Sequence, residues 1–188
     1  MKIGITGGIG SGKSYVCQRL RLQGIEVFDC DSEAKRLMRT SEKLRTGLTA
    51  LIGADTYNPD GQLNKAAIAR FLLASDVNAK AIDALVHPAV FEAFRSSGLD
   101  WMESAILYES GAVTLVDKVI AVVAPKEVRV ARVMARDNIG RQQVEEWMNR
   151  QLSQDEVASK ADFIIINDGV ADIDKQINKV IEQCNKQF

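Results

Sequence analysis

The chain has 188 residues, 46% of them hydrophobic, enough for one ordinary core with room for a small inserted module. Lys and Arg number 24 against 25 Asp and Glu, a net charge of -1, so neither a general nucleic-acid surface nor an anionic-membrane surface is implied. Cys17, Cys30 and Cys184 lack paired metal-ligand spacing and suit free thiols in a reducing cytoplasm, and Gly4, Gly7 and Gly8 break the opening apolar stretch, which argues against a signal peptide.

In chain order, Lys2 to Thr6 read as a short first strand and Tyr15 to Leu22 as a helix with Val16, Leu20 and Cys17 on its inner side. Between them stands Gly7-Gly8-Ile9-Gly10-Ser11-Gly12-Lys13-Ser14, a complete G-x-x-x-x-G-K-S phosphate loop. A strand, a glycine loop and a helix cradle phosphate because successive backbone N–H groups turn inward and the helix N-terminus adds positive potential. Gly8, Ile9, Gly10, Ser11, Gly12, Lys13, Ser14 and Tyr15 are therefore candidates for binding ATP. Lys13 is expected to reach the β- and γ-phosphates, and Ser14 to place its hydroxyl on Mg²⁺.

The second strand is expected over Ile25 to Phe28, followed by Asp29-Cys30-Asp31. In an extended backbone Asp29 and Asp31 point the same way, at the carboxyl end of a strand where open parallel sheets meet ligand. One would accept a proton from an attacking hydroxyl and the other hold substrate or metal-bound water. The alternative for Asp29 is that it caps a helix starting near Ser32.

The loop, Gly24 and Asp29-Cys30-Asp31 together resemble the dephospho-coenzyme A kinase family of P-loop kinases. The resemblance implies transfer of the ATP γ-phosphate to the ribose 3'-hydroxyl of dephospho-coenzyme A, with Asp31 as general base. The family's acidic motif is Asp-Ala-Asp, so Cys30 is a departure at its middle position. The partners implied are the small molecules ATP and dephospho-coenzyme A, with no nucleic acid and no membrane.

Residues from Glu33 to Ser97 read as mostly helical. Ala34, Leu37 and Met38 share one face, and Leu44, Leu48, Leu51 and Ile52 another, closed by Gly53. Asn64 opens a helix bearing Ile68, Phe71 and Leu72, and a second runs from near Ser75 through Val86. Pro88 is expected to break that helix and start the next. Gly61-Gln62-Leu63-Asn64-Lys65 and His87-Pro88 resemble family segments, which implies a substrate-side role for His87. The alternative is a polar side chain tying down a helix start.

Ser104 to Tyr108 read as the third strand, ending at Glu109. The family shows Pro-Leu-Leu-Phe-Glu there, and Ala105 replaces the proline. Glu109 either orients substrate or faces solvent from a loop. Lys118 to Ala124 are nearly continuously apolar, the mark of a parallel strand covered on both faces. Arg129, Arg132 and Arg136 then share one face of a helix from Pro125, followed by a turn at Asn138-Ile139-Gly140, Arg141, and a helix from Gln142 to Leu152. Either this is a solvated face, or the guanidinium groups clamp phosphates. The family resemblance implies a lid in which Arg136 and Arg141 meet the transferred group and Arg132 the nucleotide. It also matches Gln151, without a role.

The last strand is Phe163 to Ile166, then Asn167-Asp168-Gly169, where Asn167 either lines the adenine side or shapes the turn. Ile173, Ile177, Val180 and Ile181 form a terminal amphipathic helix. The expected fold is α/β, a five-stranded parallel sheet with helices on both faces. Residues 1–31, 99–125 and 161–188 would form the nucleotide-binding core, 32–98 the helical acceptor region, and 126–160 the lid and its flanking helices. A GTPase would need Asn-Lys-x-Asp after a strand, and none occurs. Another small-molecule or nucleotide P-loop kinase is the alternative.

Overall fold

The computed structural model describes residues 1–185. The chain divides into two compact units, residues 1–28 with 99–188, and residues 29–98.

The first unit is built on a five-stranded sheet of order β2-β3-β1-β4-β5. Its strands are β1 (Ile3–Thr6), β2 (Val27–Asp29), β3 (Trp101–Glu103), β4 (Lys118–Val123) and β5 (Phe163–Ile166). The sheet is parallel, with β1 between β3 and β4 and β5 beyond β4. All four residues of β1 are buried, as a strand covered on both faces requires. On one face Ile3, Ile5, Ile120, Val122 and Ile165 pack against Val16, Cys17 and Leu20 of α1 (Lys13–Leu22) and Ile173, Ile177 and Val180 of α9 (Ile173–Asn185). On the other face Gly4 leaves room for Leu107, whose Cδ2 would stand 2.9 Å from any added Cβ.

The expected third strand is corrected. β3 stops at Glu103, and residues 105–110 form turns rather than strand. The reason is the partner: Ile5 pairs with Glu103, and β1 ends one residue later where the phosphate loop begins. Ser104 donates its N–H to the Ile5 carbonyl (3.0 Å), and the apolar run then curls, burying Leu107 and leaving Ile106 partly exposed. Two ties hold the far side of the sheet. Asp162 accepts hydrogen bonds from Val119 N–H (2.9 Å) and Lys118 Nζ (2.8 Å). Along β5, the edge strand, the Gln176 amide accepts from Ile166 N–H (2.8 Å) and donates back to the Ile166 carbonyl (2.9 Å).

After β4 come α6 (Lys126–Asp137), α7 (Arg141–Met148) and α8 (Gln154–Lys160). Asn138, at φ 53, closes α6 in the left-handed conformation. The helix expected from Gln142 to Leu152 is shorter: α7 runs from Arg141 and ends at Met148, and beyond Leu152 Ser153 with Glu156 forms a capping box that starts α8. Val130 and Val133 of α6 meet Val144 of α7 in a small core of their own, with Ile9, Trp147 and Met148 packed against it.

The second unit is four helices, α2 (Cys30–Thr40), α3 (Glu42–Ile52), α4 (Lys65–Ala74) and α5 (Asp76–Ser96). Each start carries a side-chain cap, from Asp29, Ser41, Asn64 and Ser75 in turn. The break expected at Pro88 does not occur, and α5 runs through it. Ile82, Val86, Val90 and Phe94 lie on one seam at four-residue spacing and are all buried. At about 1.5–3 kcal/mol each, their burial outweighs the ~3 kcal/mol cost of an interior proline. Tyr57 donates its hydroxyl to the Met38 carbonyl (2.7 Å), with the Arg45 guanidinium 4.0 Å over its ring.

Candidate active site

The phosphate loop runs from the end of β1 to the start of α1 and turns on glycines with no alternative. Gly7 has φ 149, and a Cβ there would fall 2.2 Å from the Val122 carbonyl oxygen. Gly12 has φ 92, and a Cβ there would fall 2.0 Å from Asn167 Nδ2. Every carbonyl from Gly7 to Gly12 is taken by a donor. Lys13 Nζ donates to Gly7 O (2.8 Å), Ser11 N–H to Gly8 O (3.1 Å) and Arg129 Nε to Ile9 O (2.9 Å). Arg132 Nη1 reaches Gly10 O (3.4 Å) and Ser11 O (3.5 Å), Asn167 Nδ2 donates to Ser11 O (2.9 Å), and Tyr15 N–H to Gly12 O (3.0 Å). With its acceptors so engaged, the loop is suited to an anion.

Lys13 is 9% exposed, and its ammonium stands 3.9 Å from Glu103 Oε1. Glu103 occupies the strand-end position expected of Glu109. Sequence reasoning misses it because it ends the third strand at Tyr108, five residues beyond the observed end at Glu103. Its signal is there, since an acid closes the pair Trp101-Met102 at the length that a four-residue β1 allows. Glu109 instead sits in the turns after β3 and accepts a hydrogen bond from Leu152 N–H (3.1 Å), in the segment between α7 and α8. Ser14 is exposed at the start of α1, and Tyr15 is 48% exposed.

Beside the loop lies a cavity of about 440 Å³ lined by Gly12, Tyr15, Arg132, Asn167 and Ile173, among others. Asn167 is 7% exposed and fixed on every side. Its N–H donates to Val123 O (2.8 Å), and Arg132 donates to its backbone carbonyl (3.0 Å) and side-chain oxygen (3.3 Å). Arg132 thus joins the loop, the end of β5 and the cavity wall.

The other arginines are placed differently. Arg129 is buried beneath the loop, and desolvation pushes its guanidinium below the usual arginine value; no carboxylate pairs with it among the described residues. Arg136 pairs with the neighbouring Asp137 (2.7 Å), which raises the guanidinium above its ordinary value. Arg141 makes a two-point pair with Glu127 (2.7 and 2.8 Å) and reaches Glu145 (3.2 Å), and the Glu127 bond raises it too. Gln151 Oε1 accepts the Ile9 N–H (2.8 Å).

Asp29, Asp31 and His87 belong to the helical unit. The extended Asp29-Cys30-Asp31 segment is corrected: β2 ends at Asp29 and α2 begins at Cys30. Asp29 is the cap of α2, its two carboxylate oxygens accepting from Ser32 N–H (2.9 Å) and Ser32 Oγ (2.8 Å). Asp31 stands in the first helical turn, largely exposed, 3.1 Å from Lys35 Nζ. Its position there complements the helix dipole. His87 stacks on Phe91 with ring centroids 6.1 Å apart, and its Nε2 is 3.5 Å from Asp83.

The chain is similar to known proteins along nearly its whole length. The family model described as dephospho-CoA kinase matches residues 1–172. A dephospho-CoA kinase of Bacteroides fragilis is 41% identical over 188 residues, covering 96% of this chain and 91% of the relative. A crystal structure from Thermus thermophilus superposes with a TM-score of 0.86 at 31% identity, covering 97% of this chain and 96% of that one. A dephospho-CoA kinase from Campylobacter jejuni shares the fold at a TM-score of 0.68, with 22% identity over 100% of this chain and 99% of that one. With its phosphate loop in this setting and a family match across most of its length, the chain belongs to the dephospho-CoA kinase family.

Proposed function

We propose that the chain transfers the γ-phosphoryl group of ATP to the ribose 3'-hydroxyl of dephospho-coenzyme A, giving coenzyme A and ADP. The observation that carries the donor half is the loop from Gly7 to Gly12, whose carbonyls are all engaged at the head of α1. The acceptor half comes with family membership.

In the reaction the bond between the γ-phosphorus and the β–γ bridging oxygen breaks, and a bond to the 3'-oxygen forms. Asp31 is the group assigned to take the hydroxyl proton, and that role rests on its match to the family's second acid. Lys13 leaves the Gly7 carbonyl to meet the negative charge on the transferred group. Glu103 holds the ammonium in register until the nucleotide arrives. Ser14 and Glu103 offer a hydroxyl and a carboxylate, hard oxygen donors of the type Mg²⁺ takes, and would hold the ion. The ion would supply charge neutralisation on the β- and γ-oxygens.

The cavity beside Gly12 takes the nucleoside, with Asn167 and Arg132 on its polar wall and Tyr15 and Ile173 on its apolar one. Residues 126–160 form the lid and its flanking helices. Arg136 and Arg141 exchange their carboxylates for phosphate oxygens when it closes and water is excluded. Residues 32–98 take the acceptor, with Asp29, Asp31, His87 and Glu109 as its candidate contacts.

The test is product identity by mass spectrometry, with relative specificity constants for dephospho-coenzyme A, adenosine, AMP and shikimate. Coenzyme A with ADP is expected, and adenosine should be much poorer because it lacks the remote binding energy of the pantetheine arm. A preference for AMP or shikimate would overturn the acceptor and leave a P-loop kinase of another substrate.

A further inference from the structure

The second residue of the loop's variable part, Ile9, is held at three points by one segment of the chain. Its carbonyl accepts from Arg129 Nε at 2.9 Å. Its N–H donates to Gln151 Oε1 at 2.8 Å. Its side chain packs against the core that Val130 and Val133 of α6 make with Val144 of α7. Arg129 stands in the first turn of α6 and Gln151 three residues after α7 ends, so the two bonds come from the two feet of one helical hairpin. That hairpin carries Arg136 and Arg141.

The contact with Arg129 is the costliest to leave. The Arg129 guanidinium is desolvated, with the Ile9 carbonyl as the acceptor of its Nε. The residue lies flat beneath the loop: a Cβ on Gly8 would fall 2.4 Å from Arg129 Nη2, and one on Gly10 2.6 Å from the Arg129 carbonyl oxygen. A buried donor or acceptor that loses its partner costs about 1–3 kcal/mol. Loop and hairpin feet therefore shift together more cheaply than they part. A phosphate that draws the loop amides toward itself moves Ile9, and Ile9 moves both ends of the hairpin.

We infer that Ile9 is the joint through which an occupied phosphate loop sets the lid, with Arg129 and Gln151 as positioning residues that act through Arg141. The inference rests on the lid reading given above. Neither residue needs to touch a phosphate for this role. Gln151 accepts from the peptide before the Ile9 α-carbon and Arg129 donates to the peptide after it, so both planes flanking residue 9 are held and the arginines on the hairpin inherit a fixed position relative to the loop.

The test uses the full chain with Gln151→Met and Arg129→Met, alone and each combined with Arg141→Lys. In the parent, ADP should slow amide hydrogen exchange in residues 141–148, and each Met variant should lose most of that slowing. The ADP dissociation constant should stay within about threefold, while kcat falls about tenfold, the scale of one lost hydrogen bond in the transition state. In the Arg141→Lys background the same Met substitutions should cost little more. A structural defect would instead lower affinity and turnover together and add to the Arg141→Lys loss. If Gln151→Met does not fold, Gln151→Asn shortens the amide by one methylene and carries the same measurements. Parent-like exchange protection in the variants, or losses that simply add, would overturn the joint. If the parent makes no coenzyme A, the exchange measurement still decides the coupling, so failure of the activity and failure of the joint are told apart.

Discussion

Replacing Glu103 by Gln removes the carboxylate beside the loop lysine and keeps its shape. The Lys13 ammonium is 3.9 Å from Glu103 Oε1, with both side chains about nine-tenths buried. At an effective dielectric of about 20, two unit charges at that distance attract by about 4 kcal/mol before desolvation is subtracted. Gln frees the site of one desolvated ion and can still bond to the ammonium, so the net loss of stability should be about 2 kcal/mol. The same carboxylate competes with phosphate for Lys13, so metal-free ADP should bind Glu103→Gln more tightly than the parent, by roughly fivefold or more. Turnover with Mg-ATP should fall because a carboxylate that would hold the ion is gone. Urea unfolding gives the first quantity, calorimetry with ADP in chelator the second, and steady-state kinetics the third. An unchanged ADP affinity together with unchanged stability would refute the pairing, and normal turnover would remove Glu103 from the metal's surroundings.

Gly12→Ala should be among the most damaging single changes to the loop: φ 92 costs about 1–2 kcal/mol for an alanine, and the Asn167 amide 2.0 Å away is pinned by its own bonds. Thermal unfolding should show the loss, and ATP binding by calorimetry should be nearly abolished. Asp31→Asn should reduce kcat about a hundredfold with ATP affinity little changed, as expected for loss of a general base, and equal turnover at saturating substrates would rule it out. Burial works against the Asp162 carboxylate, but Lys118 and the Val119 N–H hold it below the usual carboxylate range. A folded value below the unfolded one gives stability that is complete above about pH 4 and lost as pH falls through the folded value. Asp162→Asn should therefore flatten the acid limb of a stability–pH profile relative to the parent.

The parts legible in the sequence are those where local pattern and final structure agree. The phosphate loop names its own geometry, since Gly-Lys-Ser at a helix start has few other uses. β5 and the start of α6 fall where apolar runs and Pro125 put them, and the caps at Ser75 and Asn64 announce their helices. Most of the misreadings have one source: tertiary partners overrode local signals. Ala105-Ile106-Leu107 is strand-like in isolation, but β1 is too short to pair with it. Pro88 is a break signal until the seam from Ile82 to Phe94 is seen to be buried on both sides of it. Asp29 and Asp31 share a face only if the backbone stays extended, and Asp29's own cap ends that extension. Arg129 looked like one of three arginines on a charged face, and only the fold shows it to be the buried one. Contacts to Ile9 from residues more than a hundred positions away have no local signature at all.

The Gln176 amide on the outer strand has a consequence beyond α9's attachment. β5 lies at the end of the sheet, with Ile164 and Ile166 49% and 47% exposed beside its outward main-chain groups. Such a border invites a foreign strand to add itself. By accepting from the Ile166 N–H and donating to its carbonyl, the glutamine imitates the next strand for one residue, in the place where an intruder would have to begin. The sheet is closed there by a counterfeit neighbour borrowed from its own last helix, and a chain crowded among many copies of itself finds no free register at that position.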